Sequence, residues 1–270
     1  GCLVQWYECD IIEEYVESLK DAIKNYNGEV IVDFTIITNE DLEKCINAEQ
    51  KGKCIDKIGS ILLDFDNVRH IQELHTIADY RRKFNEIYCN KVDVIMWGES
   101  DALIPNQTFN ALDILHQMSL QNNNPKYLAF FGTCKMWDNS WKALEHPDFT
   151  NKSLIFNSAA SFSSSEVIKS GVNIPQSVFF THEDTAFMTM TNKVLGNIPQ
   201  YIISNILLVH NRHHPKKRMY VKDEYGDSHE RRSSNSWYST ASEMSKQNSN
   251  NLFKNNKSYT WEDVWVQIVK

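Results

Sequence analysis

The sequence predicts an α/β fold with a mostly parallel central sheet flanked by helices. Short runs of β-branched and apolar residues alternate with segments whose apolar residues recur at helical spacing, and this alternation is typical of parallel α/β sheets. Hydrophobic residues make up 41% and aromatic residues 11% of the 270 residues, so the chain can build a sizeable core and is not disordered throughout. Its length suits one large domain or two small ones.

The opening pattern is strand, helix, strand. Residues 2–6 are strand-like, and residues 10–26 carry apolar side chains at helical spacing. Asp10 and Glu13 form a candidate capping pair for this helix. Residues 30–37 are rich in β-branched side chains and predict the second strand.

The remaining elements are predicted by the same two patterns, after a polar stretch over residues 39–57. The predicted helices span residues 68–85, 106–118 and 183–195, and the predicted strands span residues 92–97, 127–131, 153–156, 176–180 and 201–209.

Composition divides the chain into three parts. Residues 1–222 carry the predicted α/β domain. Residues 223–258 are mostly Ser, Asn and charged residues, and they predict a polar, mobile segment. Residues 259–270 recover apolar periodicity and predict a terminal helix that docks on the domain.

The net charge of −7 is unevenly distributed. Residues 1–50 hold twelve acidic and three basic residues, a balance of −9, so the remaining chain sums to +2. This balance argues against a general nucleic-acid coat protein, although it leaves contact with polyanions open.

Cysteine spacing and hydropathy indicate an unexported protein. None of the six cysteines belongs to a CxxC pair, and a chain of this length does not need disulfides to form a core, so we expect reduced thiols. No uninterrupted apolar run approaches the roughly 20 residues that span a bilayer, and the first residues lack the pattern of a signal peptide. We therefore expect a cytoplasmic location and no transmembrane segment.

Two carboxylates follow the predicted strand over residues 92–97. Glu99 and Asp101 stand one residue apart there, and functional sites of open α/β sheets lie outside the carboxyl ends of their strands. Both carboxylates can turn toward one hard cation, such as a divalent ion that bridges a diphosphate. The alternative is a solvated turn in which Asp101 caps the next helix.

A second acidic pair and a basic loop follow later strands. Glu183 and Asp184 open a predicted helix, where a carboxylate serves either as a general base or as a helix cap. His210 ends a predicted strand and opens a nine-residue run, residues 210–218, with three histidines and four cationic residues. That run is either a solvated surface or a loop that faces an anion such as phosphate.

The order of these features resembles that of GT-A-fold glycosyltransferases, in which a helix with Arg and Asn precedes an Asp-rich metal motif. Here residues 78–85 supply that helix, although basic residues on a helix are also typical of an ordinary charged face. The resemblance covers residues 3–221 and implies a GT-A-like fold.

The resemblance also implies the roles of individual residues. Asp101 matches the second acid of the metal motif that holds Mg²⁺ or Mn²⁺, Glu99 stands where the family usually has Asp, and His210 matches a late histidine that completes the metal shell. Asp184, or failing that Glu183, matches the catalytic base.

Further residues match the substrate positions of the family. Those at the nucleotide are Glu8, Asn39, Arg81, Arg82 and Asn85, those at the diphosphate are Arg212, Lys216 and Lys217, and those in the sugar and acceptor pocket are Gly132, Trp137 and Trp141. Aromatic rings stack on sugar faces, but tryptophans in an α/β core more often serve packing.

The implied reaction moves a sugar from a nucleotide-sugar donor, with UDP-glucose as the first candidate, to a hydroxyl of a glycan or of a modified DNA base. A nucleotidyltransferase is the first alternative, but residues 6–10 are acidic and lack the glycines that would hold a triphosphate. A non-catalytic module that binds a polyanion is the second alternative. The oligomeric state is left open.

Overall fold

The structure is a computed structural model that describes residues 1–38, 47–73, 75–135, 161–176, 183–210, 214–221 and 265–266. Within these residues nine strands form one sheet, and six α-helices flank it. The strands are β1 Cys2–Gln5, β2 Asp33–Ile37, β3 Asn67–Ile71, β4 Val94–Glu99, β5 Ala102–Leu103, β6 Leu128–Lys135, β7 Ser161–Ser164, β8 Gln200–His210 and β9 Trp265–Val266. The helices are α1 Ile12–Lys24, α2 Ala48–Ile61, α3 Ile77–Tyr88, α4 Thr108–Gln121, α5 Ser165–Lys169 and α6 Glu183–Leu195. Two short 3₁₀ helices span Trp6–Glu8 and Pro215–Arg218.

The sheet is mostly parallel, as the sequence predicts. Its strand order is β3-β2-β1-β4-β7-β6-β8-β5, and β9 also pairs with β8. Among these strands, β7 is antiparallel to both of its neighbours and β5 is antiparallel to β8, whereas the other pairings are parallel. The carboxyl ends of β1, β2, β4, β6 and β8 therefore point to the same edge of the sheet.

Hydrophobic side chains pack on both faces of the sheet. Along β1, Cys2 and Val4 join the cluster under α1, α2 and α4, while Leu3 joins the cluster under α3, α5 and α6. This alternation follows from the two-residue period of a strand. Both clusters are covered by helices, which confirms the predicted α/β architecture.

The predicted capping of α1 is wrong, although the helix itself is confirmed. The N-cap is Ile11, and no side chain caps it. Asp10 instead contacts Lys57 Nζ at 2.7 Å and accepts a hydrogen bond from Tyr220 Oη at 2.7 Å, so its carboxylate is used in tertiary contacts.

Residues 47–71 differ from the prediction. The second half of the predicted polar stretch is helix α2, which Asn47 caps by accepting a hydrogen bond from Glu49 N at 2.8 Å. The predicted helix over residues 68–85 is wrong in its first part, because β3 pairs in parallel with β2 over five residues. Val68 and Ile71 recur at helical spacing, but pairing with β2 determines their conformation.

Helix α3 begins later, at a capping box. Thr76 Oγ1 accepts a hydrogen bond from Asp79 N at 3.2 Å, and the Asp79 carboxylate accepts one from Thr76 N at 3.1 Å. Strand β7, helix α5 and the short strand β5 were not predicted. The predicted strand over 153–156, almost all of the strand over 176–180 and the segment 223–258 lie outside the described residues.

Two further findings concern the end of the chain and the helices. Trp265 and Val266 pair with β8, so the predicted terminal helix is wrong at these two residues, because the edge of the sheet offers them strand partners. None of the helices in the described ranges has both the length and the apolar character needed to cross a bilayer.

Candidate active site

Three strands bring the candidate site together at the carboxyl edge of the sheet. Strand β4 ends at Glu99, the 3₁₀ helix that follows β1 ends at Glu8, and β8 ends at His210. The short strand β5 pairs Ala102 with His210 and thereby holds Asp101 beside the end of β8. Residues from distant parts of the sequence therefore share one small volume.

Glu99, Asp101 and His210 form a compact ligand set. His210 Nε2 lies 3.2 Å from Glu99 Oε2 and 3.2 Å from Asp101 Oδ1. One potential ligand atom from each residue lies within 4.8 Å of the others. The imidazole is buried, and within the described part of the chain neither of its nitrogens makes a hydrogen bond of acceptable geometry.

This donor set fits a divalent cation. Carboxylate oxygens suit Mg²⁺ and Mn²⁺, and an imidazole nitrogen adds a ligand that transition metals such as Mn²⁺ accept. The turn at residues 100–101 joins β4 to β5 and places both carboxylates beside His210 Nε2. Ser100 Oγ donates a hydrogen bond to Glu8 Oε2 at 2.6 Å.

Lys217 carries a positive charge into the same cluster. Its Nζ lies 2.6 Å from Asp101 Oδ2 and 3.3 Å from Glu8 Oε1. Glu8 also accepts a hydrogen bond from the backbone N–H of Gln5 at 2.8 Å. Lys217 is therefore paired with two carboxylates at this edge of the sheet, and its contact with a diphosphate stays a prediction.

Arg81 lies behind the cluster and joins two acids. Its guanidinium contacts Glu99 Oε1 at 2.9 Å and Glu183 Oε1 at 2.5 Å, and it lies over the Trp97 ring at 5.0 Å. The side chain is completely buried. Arg81 therefore fixes Glu99 relative to the start of α6, and its contact with a nucleotide stays a prediction.

Burial and ion pairing shift the acids of the cluster in opposite directions. Burial alone would raise the pKa of Glu99, but His210 and Arg81 outweigh it and lower that pKa to about 2. Burial and the neighbouring Asp184 raise the pKa of Glu183 to about 8, against the opposing effect of Arg81. One acid of the cluster is therefore held ionised and another is held protonated near neutral pH.

The cationic groups respond to the same charges. Burial would lower the pKa of His210, but Asp101 and Glu99 raise it to about 9. Burial also opposes the charge of Lys217, and Asp101 and Glu8 more than compensate, so its pKa rises. The ammonium of Lys217 and the raised pKa of His210 both respond to the negative charge of these carboxylates.

The second residue of the acidic pair lies in a different environment from the first. Glu183 is buried against Arg81, whereas Asp184 is half-buried and lines a small, mostly apolar cavity with Trp97 and Phe130. Other residues of α6, β6 and β7 complete that cavity. Asp184 is thus nearer to open space than Glu183.

Two residues predicted at the nucleotide make structural contacts. Arg82 donates hydrogen bonds to the carbonyl oxygens of Ile174 at 3.0 Å and Pro175 at 2.8 Å. Asn85 is fully buried and accepts a hydrogen bond from Trp97 Nε1 at 2.9 Å. Both side chains are engaged within the fold.

The structure describes only some of the other predicted site residues. Lys216 is exposed, and the backbone of Gly132 lies in β6 where its pairing with β8 shifts register. Asn39, Trp137, Trp141 and Arg212 lie outside the described residues. Ser100 belongs to the cluster through its contact with Glu8, and the sequence analysis does not assign it a role. The signal that could have found it is its position between two acids at the end of a strand.

Comparison with known proteins gives structural similarity only. No protein-family model and no curated protein matches the chain. A crystal structure of S. aureus TarS 1-349 in complex with UDP is similar at a TM-score of 0.48 and 9% identity, covering 78% of this chain and 60% of that chain. A 4-diphosphocytidyl-2C-methyl-D-erythritol synthase from Anaerococcus prevotii is similar at a TM-score of 0.39 and 12% identity, covering 75% and 87%.

A protein from Desulfovibrio desulfuricans, described as a nucleotide-diphospho-sugar transferase, is similar at a TM-score of 0.36 and 10% identity, covering 78% of this chain and 79% of that chain. This chain spans about three fifths of the TarS structures, 59% and 60%. Because these TM-scores are below 0.5, we base the function on the residues of this chain.

Proposed function

We propose that this protein is a GT-A-like glycosyltransferase that uses a divalent cation and a nucleotide-sugar donor. The observation that carries the proposal is the convergence of Glu99, Asp101 and His210 at the carboxyl edge of the sheet. Ligands of open α/β sheets bind at this edge. The convergence agrees with the order of motifs that resembles this family of enzymes.

The three ligands would hold Mn²⁺ or Mg²⁺. When bound, the cation neutralises charge on the diphosphate of the donor as it becomes the leaving group. Arg81 holds the carboxylate of Glu99 in place from behind, through the contact at 2.9 Å. Such fixed groups lower the cost of reorganisation when the reaction occurs.

We assign the general base to Asp184. Glu183 is committed to Arg81 at 2.5 Å, whereas Asp184 lies at a cavity. In the proposed step the acceptor oxygen bonds to the anomeric carbon and gives its proton to the Asp184 carboxylate. The bond between the anomeric carbon and the diphosphate oxygen breaks, and its electron pair leaves with the nucleoside diphosphate. A single displacement of this kind inverts the anomeric configuration.

We favour a glycan hydroxyl over a hydroxyl on a modified DNA base as the acceptor. The basic run over residues 210–218 would suit DNA phosphates, but Lys217 within it already contacts Asp101 and Glu8. A glycan acceptor predicts no salt-dependent retention on DNA. Retention that falls steeply with salt would favour the DNA acceptor instead.

The proposal is tested by incubating UDP-glucose with the protein and Mn²⁺ and measuring release of UDP. We expect Asp101→Asn and Asp184→Asn to lose at least about tenfold in activity. Asp113→Asn is the matched control, because Asp113 is exposed on α4 away from this edge. Equal activity of wild type and Asp101→Asn would contradict the proposal, and release of pyrophosphate from a nucleoside triphosphate and a sugar phosphate would favour a nucleotidyltransferase.

A further inference from the structure

Lys217 occupies one side of the carboxylate that the proposed cation would use. Asp101 Oδ1 faces His210, and Asp101 Oδ2 faces Lys217 Nζ at 2.6 Å. Glu8 Oε1 is the second carboxylate oxygen near that ammonium, at 3.3 Å. Glu8 and Asp101 are buried, and the Lys217 side chain is only 19% exposed, so water screens these charges weakly.

The position of Lys217 is fixed by local structure. It lies on the 3₁₀ helix Pro215–Arg218, where His214 Nδ1 accepts a hydrogen bond from the backbone N–H of Lys216 at 3.2 Å. The same chain segment that supplies His210 therefore also supplies the ammonium. Lys216, the neighbouring cation, is exposed instead.

A divalent cation beside Asp101 would experience two effects of Lys217. The ammonium repels the cation, and it also withdraws one Asp101 oxygen from metal binding. A diphosphate bridging the same region would offer the ammonium a replacement anion, since phosphate oxygens are strong acceptors for lysine. The ammonium would then contact phosphate, and the carboxylate would be free for the cation.

We propose that Lys217 couples the binding of the cation to the binding of the donor diphosphate. This inference rests on the proposed function, since it concerns the same site. In the free protein Lys217 holds Asp101 and Glu8 together and weakens cation binding. When the diphosphate is present, Lys217 turns to it and the cation binds tightly. By linkage, the cation strengthens diphosphate binding by the same factor.

The inference differs from a purely structural role of the ion pair. A structural ion pair would contribute to folding, and its loss would weaken or leave unchanged the binding of a cation. A coupling residue has the opposite signature, because removal of its charge strengthens binding of the cation alone and reduces the benefit of the nucleotide. Binding of Mn²⁺, measured with and without UDP, separates the two roles.

The experiment titrates Mn²⁺ into the protein at pH 7.5 and follows free Mn²⁺ by electron paramagnetic resonance, with correction for the Mn²⁺–UDP complex. In the wild type we expect UDP to raise the Mn²⁺ affinity by about tenfold or more. In Lys217→Met we expect Mn²⁺ alone to bind about tenfold more tightly than in the wild type, and the gain from UDP to be about tenfold smaller than the gain in the wild type. Lys193→Met is the matched control, because Lys193 is exposed in the last turn of α6, ten residues beyond Glu183, and it is expected to behave as wild type.

Lys217→Arg distinguishes an effect of the charge from an effect of misfolding. It keeps the positive charge, so it is expected to keep the coupling between Mn²⁺ and UDP. If Lys217→Met binds Mn²⁺ no more tightly than wild type, or keeps the full gain from UDP, the inference is overturned while the proposed function stands. If Lys217→Arg loses the coupling, the charge is not its origin and the inference is also overturned. If neither the wild type nor Lys217→Met binds Mn²⁺, the proposed function fails and the inference fails with it.

Discussion

Replacement of Arg81 by methionine is expected to destabilise the fold strongly. The guanidinium is completely buried between Glu99 at 2.9 Å and Glu183 at 2.5 Å. Removing one partner of a buried ion pair leaves an uncompensated charge, which typically costs about 3–5 kcal/mol. Methionine keeps much of the side-chain volume, so this cost reflects charge more than packing.

The cost of Arg81→Met is expected to depend on pH. The pKa of Glu183 is about 8, so at pH 6 this carboxyl is already protonated and loses little when Arg81 is removed. At pH 8.5 it is mostly ionised in the wild type, whereas removal of Arg81 raises its pKa further, so in the variant it must either bind a proton or stay charged without a cation. We therefore expect the full cost at pH 8.5 and a smaller cost at pH 6.

The assay is urea unfolding at both pH values for the wild type, Arg81→Met, Glu183→Gln and the double variant. The double variant is expected to recover about 1–2 kcal/mol relative to Arg81→Met at pH 8.5, because the orphaned carboxyl is gone. Lys83→Met is the control, since Lys83 is exposed on the same helix and should change stability by less than about 0.5 kcal/mol. A cost below about 1 kcal/mol for Arg81→Met, or the same cost at both pH values, would refute this reasoning.

Three further predictions concern protons, metal and a glycine. The pKa values of Glu183 and His210 are raised to about 8 and 9, so these groups bind more protons in the folded state than in the unfolded state. The melting temperature should therefore fall from pH 6.5 to pH 9, with a loss of unfolding free energy on the order of 3 kcal/mol from His210 alone. A melting temperature that does not change over this range would contradict the prediction. A metal-bound imidazole has to be neutral, so Mn²⁺ affinity, measured by calorimetry, should rise about tenfold per pH unit below pH 9, and a pH-independent affinity would argue against His210 as a ligand. Gly98→Ala should lower the free energy of unfolding, measured in urea, by about 1–3 kcal/mol, because the added Cβ collides with the buried Tyr15 hydroxyl. Gly59→Ala in α2 is the control, because its Cβ meets no atom within 4 Å and the change should stabilise the protein by up to about 1 kcal/mol. Equal effects of the two substitutions would contradict the steric argument.

Local patterns were sufficient for much of the fold and for part of the candidate site. Helix α6 has the predicted bounds, and the end of β4 places Glu99 and Asp101 at the predicted edge of the sheet. Strand β3 was missed because Val68 and Ile71 fit a helical period as well as a strand, and only pairing with β2 decides between them. A pattern within one segment does not contain that information.

The partners of the charged residues were less predictable. The sequence indicated that Arg81 is a charged residue on a helix, but its burial depends on Glu183, which follows 102 positions later. Lys217 contacts Asp101, 116 positions earlier, and its place in a basic run does not indicate that partner. Contacts over such separations depend on the topology of the sheet, which spacing along the chain does not encode.

The two-residue strand β5 has a consequence for the order in which the protein can mature. It pairs with the last two residues of β8, so Asp101 meets His210 only after the second half of the sheet has formed. A fragment that ends after α4 would contain Glu99 and Asp101 but not His210. During synthesis from the amino terminus, the three candidate ligands would come together only once β8 has been made and has paired with β5. Uptake of Mn²⁺ would then report this pairing as well as the integrity of the site.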